Sequence, residues 1–333
     1  MLTFYFHIGM GKTGTSSIQA YLKDHPDVLE RHGMRYIGMT MHALGKEYAD
    51  IVGTRTFLGR GSVLNPEKSA RDFLAHYERV AEQTGVDSFI FSNETILGSV
   101  RASGGFFEAL SKISRVRFIA YIRNPYEWLP SAYAQWGLRH KTNKGRIRSF
   151  GEQARLFVDQ YDRVLLWQDR FGEALDVRLF DKTGVVADFL EAVGITGETV
   201  EEVFKLRRAP KADLFLRGVF NDRFDTEVFP DHIEQVLLQR GERRAETFEE
   251  LYARMFDQSA VAKIVADKAE VMDRLQKEFG LDIENRITPQ KAEADKAAVR
   301  EGVLDALLDI TITQGLAIHR LEQRLAALEA KSS

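Results

Sequence analysis

The sequence predicts an α/β fold in which a mostly parallel sheet is wrapped by helices and is followed by a helical C-terminal third. Apolar runs rich in β-forming residues alternate with helical patterns, and this alternation is typical of parallel sheets. Strand signals end after about residue 184, and the rest of the chain has helical patterns. The predicted strands are residues 2–8, 34–39, 87–92, 116–122 and 175–180.

The first strand leads into a loop that is rich in glycine and hydroxyl groups. Residues 2–8 form an apolar run, as expected for a strand buried on both faces, so His7 is interpreted as a core histidine. From Thr15 onward, Ile18, Tyr21 and Leu22 recur at helical spacing. The chain therefore passes from a buried strand to a helix through residues 9–14, where amide N–H groups at the helix start can converge on an anion.

The residues of this loop suit a phosphate group. Its glycines allow the backbone to turn, Lys12 adds a positive charge, and the threonine and serine hydroxyls add hydrogen-bond donors. The loop does not fit the nucleotide-binding pattern G-x-x-x-x-G-K-[ST], because Phe6 stands where the first glycine is required. The candidate binding residues are Gly11, Lys12, Thr13, Gly14, Thr15, Ser16 and Ser17.

A second candidate anion site follows the strand at 116–122. Asn124 is predicted to cap a helix that has Pro125 at its first position, so Arg123 lies at the carboxyl end of the strand. Ser131 comes about two turns into that helix. A guanidinium group and a helix hydroxyl can together bind one phosphate. Taken alone, Arg123 is better explained as a residue that caps the strand or pairs with a surface carboxylate.

Residues 11–17 resemble the 5′-phosphosulfate loop of sulfotransferases that use 3′-phosphoadenosine 5′-phosphosulfate (PAPS), with Gly11 in place of the usual proline. Arg123 and Ser131 resemble the 3′-phosphate motif of the same family, R-x-x-x-x-x-x-x-S. The resemblance implies a P-loop NTPase-like sulfotransferase fold, with PAPS as sulfuryl donor, adenosine 3′,5′-bisphosphate as product and no metal. It also implies that Lys12 neutralises the charge that develops on the departing oxygen.

The resemblance extends to a candidate base and a basic segment. Glu94, at the end of the strand at 87–92, resembles the acidic residue that follows this strand in several carbohydrate sulfotransferases. His42 and His140 are the alternatives. Many bacterial relatives carry an Asn-x-Ser segment near residues 206–215, where this chain has Arg207 and Arg208 instead. Arg208 is a candidate ligand of the 3′-phosphate, and a solvated basic turn is the alternative.

Composition limits the classes of partner. A net charge of −3 argues against nucleic acid, and the absence of cysteine excludes disulfides and thiolate metal sites. The chain lacks a long apolar run, so we expect no membrane span and a cytoplasmic location. The expected domains are residues 1–285, with helical additions after about 184, and a helical tail over 286–333. In the tail, Ile318, Leu321, Leu325 and Leu328 step by three and four, which suits packing on its own domain or a homodimer.

The sequence thus predicts a PAPS-dependent sulfotransferase whose acceptor is a hydroxyl or an amine on a small molecule or glycan, with a carbohydrate favoured by the resemblance. Lys12 and Glu94 are its predicted catalytic residues. Two other functions remain open at this stage. One is a kinase or other nucleotide phosphotransferase, which requires Mg²⁺. The other is a non-catalytic interaction protein that retains a nucleotide-binding fold.

Overall fold

The computed structural model describes residues 1–61, 65–198, 200, 211–230, 232–233, 247–285 and 289–332. Its contacts divide the chain into two compact units. The first unit comprises Met1–Trp128, Phe157–Arg207 and Val265–Glu284, and the second comprises Leu129–Leu156, Arg208–Ile264 and Asn285–Ser333. The second unit therefore combines the C-terminal helix with segments that the sequence analysis assigned to residues 1–285. The separation of a domain over 1–285 from a tail over 286–333 stays a prediction.

The first unit contains a sheet of five strands that are all parallel, in the order β2-β3-β1-β4-β5. This confirms the predicted α/β fold with a mostly parallel sheet wrapped by helices. The strands are β1 (Thr3–Gly9), β2 (Met34–Tyr36), β3 (Ser88–Ser92), β4 (Arg115–Ile122) and β5 (Leu175–Leu179). Each lies within two residues of a predicted strand at its start and within three at its end.

Helices connect the strands and make up the described chain after β5. They are α1 (Thr15–Asp24), α2 (Pro26–Arg31), α3 (Ile51–Thr56), α4 (Pro66–Thr84), α5 (Val100–Ile113), α6 (Pro125–Tyr133), α7 (Phe150–Phe157), α8 (Asp159–Phe171), α9 (Val185–Ala192), α10 (Lys211–Asn221), α11 (Phe248–Phe256), α12 (Val261–Ala266), α13 (Ala269–Phe279) and α14 (Pro289–Ser332). Among the described helices, none combines the length and apolar character needed to cross a membrane.

Alternating residues of the strands build two cores, one on each face of the sheet. On one face, aromatic rings of the strands pack against helices α4, α5 and α8. Phe118 of β4, for example, lies 5.3 Å from Phe107 of α5 and 4.8 Å from Trp167 of α8, measured between ring centroids. On the other face, Ile119 and its neighbours pack against α1, α2 and α9. The period of two along a strand explains why adjacent residues serve different cores.

The strand order places a topological switch between β1 and β4. The connection after β1 runs over one face through α1 and α2, whereas the connection after β4 runs over the other face through α8. The carboxyl ends of these two neighbouring strands therefore border a crevice. Open α/β sheets bind their ligands in such a crevice.

Among the residues of the second unit that the structure describes, the regular structure is helical apart from one isolated antiparallel bridge between Lys141 and Val228. Asp222 is almost fully buried there, where it accepts a hydrogen bond from the Ile147 amide and pairs with Arg254. The long helix α14 is buried at Val299, and its later part exposes large apolar side chains. These exposed residues are Leu304, Leu307, Leu308, Ile312, Ile318, Leu321 and Leu325.

Candidate functional site

The two candidate anion-binding segments leave neighbouring strands at the same edge of the sheet. β1 pairs with β4 up to the register Gly9–Ala120, and the Met10 amide then donates to the Tyr121 carbonyl at 2.9 Å. The loop after β1 therefore starts opposite Tyr121, which is two residues before Arg123 in the chain. Arg123 itself directly follows the last residue of β4. This arrangement within the first unit brings the loop and the arginine to the same crevice.

The loop after β1 depends on backbone conformations that favour glycine. Gly14 has a φ of 84° and lies directly before α1, whose first turn closes on the Gly14 carbonyl. A Cβ atom at Gly14 would lie 2.8 and 2.9 Å from the methyl carbons of Val185 and 3.2 Å from the Phe180 ring. Lys12 also has a left-handed backbone, with a φ of 68°. The loop shape thus excludes a side chain at position 14 on two grounds, the φ angle and the space.

Hydrogen bonds hold the loop from inside and from a neighbouring helix. Thr13 is fully buried, and its hydroxyl donates to the Met10 carbonyl, which closes the turn. The indole N–H of Trp128, on α6, donates to the Gly11 carbonyl at 2.7 Å. Tyr161 packs edge-on against Trp128, and its hydroxyl donates to the Arg123 carbonyl. Trp128 and Tyr161 therefore tie the loop to the end of β4.

The residues after β4 adopt the predicted helix start. The Asn124 side chain accepts a hydrogen bond from the Tyr126 amide at 2.9 Å, and α6 begins at Pro125. Ser131 lies further along α6 and is half-buried. The contacts assign Ser131 to the second unit, whereas the loop, Arg123 and Glu94 belong to the first. Arg207 and Arg208 lie outside the described residues.

The Arg123 side chain lies over the ring of Phe180, which also borders the loop. Its guanidinium carbon lies 5.2 Å from the centroid of the Phe180 ring, and this ring approaches Gly14 as well. Nε and Nη2 of Arg123 donate to Oε2 of Glu127 at 3.1 and 2.9 Å. The Phe180 ring therefore borders both candidate anion-binding segments. Glu127 is the acidic partner of Arg123.

Glu94 lies beside the loop on the β3 side of the crevice. It begins a short 3₁₀-helix, Glu94–Ser99, which Asn93 caps by accepting from the Thr95 amide at 2.9 Å. Burial raises the pKa of Glu94 above its ordinary value of 4.5, and the nearby Thr15 hydroxyl and Lys12 ammonium oppose this shift. The Thr15 hydroxyl is close to Glu94 but does not form a hydrogen bond of normal geometry with it. This buried oxygen has no hydrogen-bond partner among the described residues. The structure thus brings Lys12, Thr15 and Glu94 together.

The histidines occupy different environments. His7 is fully buried, its Nδ1 lies 2.8 Å from the Ser92 hydroxyl, and burial lowers its pKa to about 3, so the ring is neutral in the folded protein. The exposed His42, a rival for the role of base, has its ring 5.9 Å from that of His76. His140 belongs to the second unit and stacks on Phe229.

Sequence reasoning missed three residues that shape this edge of the sheet. Trp128 is buried as expected of a packing residue, but its indole N–H also binds the loop. Tyr161 and Phe180 belong to a segment whose sequence predicts a helix, a turn and a strand. No pattern in that sequence predicts a contact of either residue with Arg123. The Glu127 contact has a local signal, because Arg123 lies just before the Asn124 cap of α6 and Glu127 lies in the first turn of that helix, four residues later.

The fold and the site define an α/β protein with a candidate anion-binding crevice at the carboxyl edge of its parallel sheet. Lys12 and Arg123 supply positive charge there, and Glu94 and Glu127 supply two carboxyl groups. Comparison with models of protein families finds no match for this chain, and comparison with curated proteins finds none either. An assignment of function therefore depends on the residues and geometry of the crevice.

Proposed function

We propose that the protein is a PAPS-dependent sulfotransferase that transfers a sulfuryl group to a hydroxyl or amine acceptor. The observation that supports this best is the meeting of two separate phosphate motifs at neighbouring strand ends, joined by the Met10–Tyr121 and Trp128–Gly11 hydrogen bonds. A nucleotide with phosphates at both its 5′ and 3′ positions needs two such anion sites. A ligand with a single phosphate group needs only one.

In this proposal the loop after β1 holds the 5′-phosphosulfate. Amide N–H groups at the start of α1 have no carbonyl partners within the helix, and the helix dipole favours an anion there. Lys12 and the hydroxyls of Thr15, Ser16 and Ser17 would add donors. The Thr13 hydroxyl would not, contrary to the expectation from the sequence, because it is buried and already donates to the Met10 carbonyl. Thr15 supports this role, because its buried oxygen has no hydrogen-bond partner among the described residues.

The 3′-phosphate would be held by Arg123, and the roles of Ser131 and Arg208 stay predictions from the sequence. An arginine can donate two parallel, charge-assisted hydrogen bonds to one phosphate, which gives direction as well as binding energy. The backbone of Arg123 is fixed by Tyr161 and by the Asn124 cap. Phosphate binding would therefore involve the side chains of Arg123 and its partner Glu127 rather than the backbone.

The proposed chemistry is an in-line transfer. The acceptor oxygen or nitrogen bonds to sulfur as the bond from sulfur to the bridging oxygen breaks, and adenosine 3′,5′-bisphosphate leaves. Glu94 takes the acceptor proton, for which its raised pKa suits it better than an ordinary carboxylate. The Lys12 ammonium stabilises the negative charge that develops on the bridging oxygen. These residues do not require a metal ion for the reaction.

Nucleotide binding is the first test. Adenosine 3′,5′-bisphosphate should bind in the presence of EDTA, and at a hundred times its dissociation constant it should stabilise the fold by about 2.7 kcal/mol. Calorimetry and thermal unfolding measure the two effects. Binding of ATP that requires Mg²⁺, with no response to the bisphosphate, would instead support a phosphotransferase, since that class also uses a glycine-rich loop after a first parallel strand. Failure of both nucleotides to bind would favour an interaction protein.

We propose a carbohydrate hydroxyl as the acceptor and the cytoplasm as the site of action, where PAPS would be made. Incubation with labelled PAPS and a panel of sugars, glycolipid head groups and small amphiphiles should label a sugar. Label on an amine or a lipid alone would contradict the carbohydrate assignment without affecting the transferase assignment.

The exposed apolar side chains of α14 support a homodimer. Ile318, Leu321 and Leu325 are each more than half exposed and step by three and four along the helix, as the seam of a two-stranded coiled coil does. Light scattering should give a dimer mass for the native chain and a monomer mass for a variant with Leu321→Asp and Leu325→Asp. A monomeric native chain would contradict this part of the proposal.

A further inference from the structure

The Arg123 side chain already holds an anion in the structure. Its Nε and Nη2 atoms donate to the same oxygen of Glu127, at 3.1 and 2.9 Å. The side chains of Arg123 and Glu127 are 23% and 42% exposed, so water and small ligands can reach the pair. The two residues are one turn apart at the start of α6.

The pair uses the part of the guanidinium that a phosphate would use. Nε and Nη2 form one edge of the planar group, and this edge makes paired hydrogen bonds to carboxylates and phosphates. Phe180 lies against one face of the same group. A phosphate that binds this edge must therefore displace Glu127 or share the edge with it.

Charge decides which anions can compete. A carboxylate carries one negative charge, whereas a phosphate monoester carries nearly two at neutral pH and has three acceptor oxygens. After displacement the Glu127 carboxylate stays close to the phosphate, because it is fixed to the same helix turn. A singly charged ligand therefore interacts with Arg123 about as strongly as the Glu127 carboxylate does. A doubly charged phosphate interacts with Arg123 more strongly and can displace that carboxylate.

We infer that Glu127 is a specificity-determining residue that competes with the 3′-phosphate for Arg123. This inference rests on the proposed function and deepens it. Glu127 weakens the binding of every ligand at this position, and it selects for a full 3′-phosphate group over weaker anions. The pair also gives Arg123 a partner in the absence of nucleotide.

The test compares Glu127→Gln with the native protein in calorimetric titrations at pH 7.5. The probes are adenosine 3′,5′-bisphosphate and adenosine 5′-phosphate, which differ only in the 3′-phosphate. Glu127→Gln should bind the bisphosphate roughly two to five times more tightly, as expected when an exposed ion pair no longer competes. It should bind adenosine 5′-phosphate with unchanged affinity.

Glu278→Gln is the matched control, because Glu278 pairs with Arg274 at the same spacing of four on α13. This variant should change the affinity for neither probe. Bisphosphate binding that is unchanged or weaker in Glu127→Gln would overturn the inference and leave the proposed function intact. An equal change for both probes would also overturn it, since a general structural effect does not distinguish the 3′-phosphate. If the native protein and the variant both fail to bind the bisphosphate, the proposed function and the inference fail together.

Discussion

The ends of β1 and β4 differ in how they are built, although they border the same crevice. The loop after β1 owes its shape to the backbone, with left-handed conformations at Lys12 and Gly14 and a buried Thr13 that closes the turn. The end of β4 presents a long arginine side chain whose partner, Glu127, can be exchanged. We therefore expect substitutions in and beside the loop to affect catalysis and stability, and substitutions of Arg123 to affect affinity.

The largest expected effect is at Glu94, beside the loop. Glu94→Gln keeps the shape of the side chain but cannot accept a proton, so turnover should fall about a thousandfold. Because burial raises the pKa of Glu94, the proposed activity of the native protein should fall as the pH falls through that raised value, where the carboxylate becomes protonated. A pH series of turnover measures both effects. Near-normal turnover of Glu94→Gln across the series would reject its role, and exposed Glu78→Gln is the control.

The second largest effect is expected for Lys12→Ala. Loss of one preorganised donor to the developing charge should lower the single-turnover rate by about a hundredfold to a thousandfold. Affinity for adenosine 3′,5′-bisphosphate should fall much less, because the loop amides remain. Rapid-quench measurements at saturating PAPS separate the two quantities, with Lys23→Ala, an exposed lysine at the end of α1, as the control. Single-turnover rates equal to those of the native protein would contradict the proposed role of Lys12.

Arg123→Ala should show the opposite pattern. Charge-assisted hydrogen bonds contribute about 1.5–3 kcal/mol, so the affinity for the bisphosphate should fall about tenfold to a hundredfold. Affinity for adenosine 5′-phosphate and turnover at saturating PAPS should change little. Calorimetry with both nucleotides makes the comparison, and Arg31→Ala, in an exposed pair with Asp27, is the control. Equal losses for both nucleotides would place Arg123 away from the 3′-phosphate.

The last expected effect concerns the stability of the fold rather than affinity or turnover. Gly14→Ala combines a left-handed backbone with contacts of 2.8 and 2.9 Å to Val185, so the free energy of unfolding should fall by about 2–4 kcal/mol. Gly85 has a similar φ of 76°, but a Cβ atom there would meet nothing within 4 Å. Gly85→Ala should therefore cost only about 1–2 kcal/mol. Urea unfolding compares the two, and equal losses would show that the contact with Val185 relaxes without cost.

Much of the local structure could be predicted from the sequence. The five strands and the helix start at Asn124 and Pro125 are confirmed, because apolar periodicity and capping act over a few residues. The glycines of the loop likewise predict a turn there, and Gly14 has the left-handed backbone that favours glycine. The roles of Lys12, Glu94, Arg123 and Ser131 in binding or catalysis stay predictions.

The sequence by itself determined which segments become strands, where the polar motifs follow them, and that Glu127 lies one turn from Arg123. Only the tertiary structure decided that β1 and β4 are neighbours, that Trp128 binds the Gly11 carbonyl, and that Phe180 contacts both the loop and Arg123. Helix and strand patterns arise from interactions between residues close in the chain. Strand order and side-chain partners depend on packing between segments that are dozens of residues apart, which no local pattern encodes.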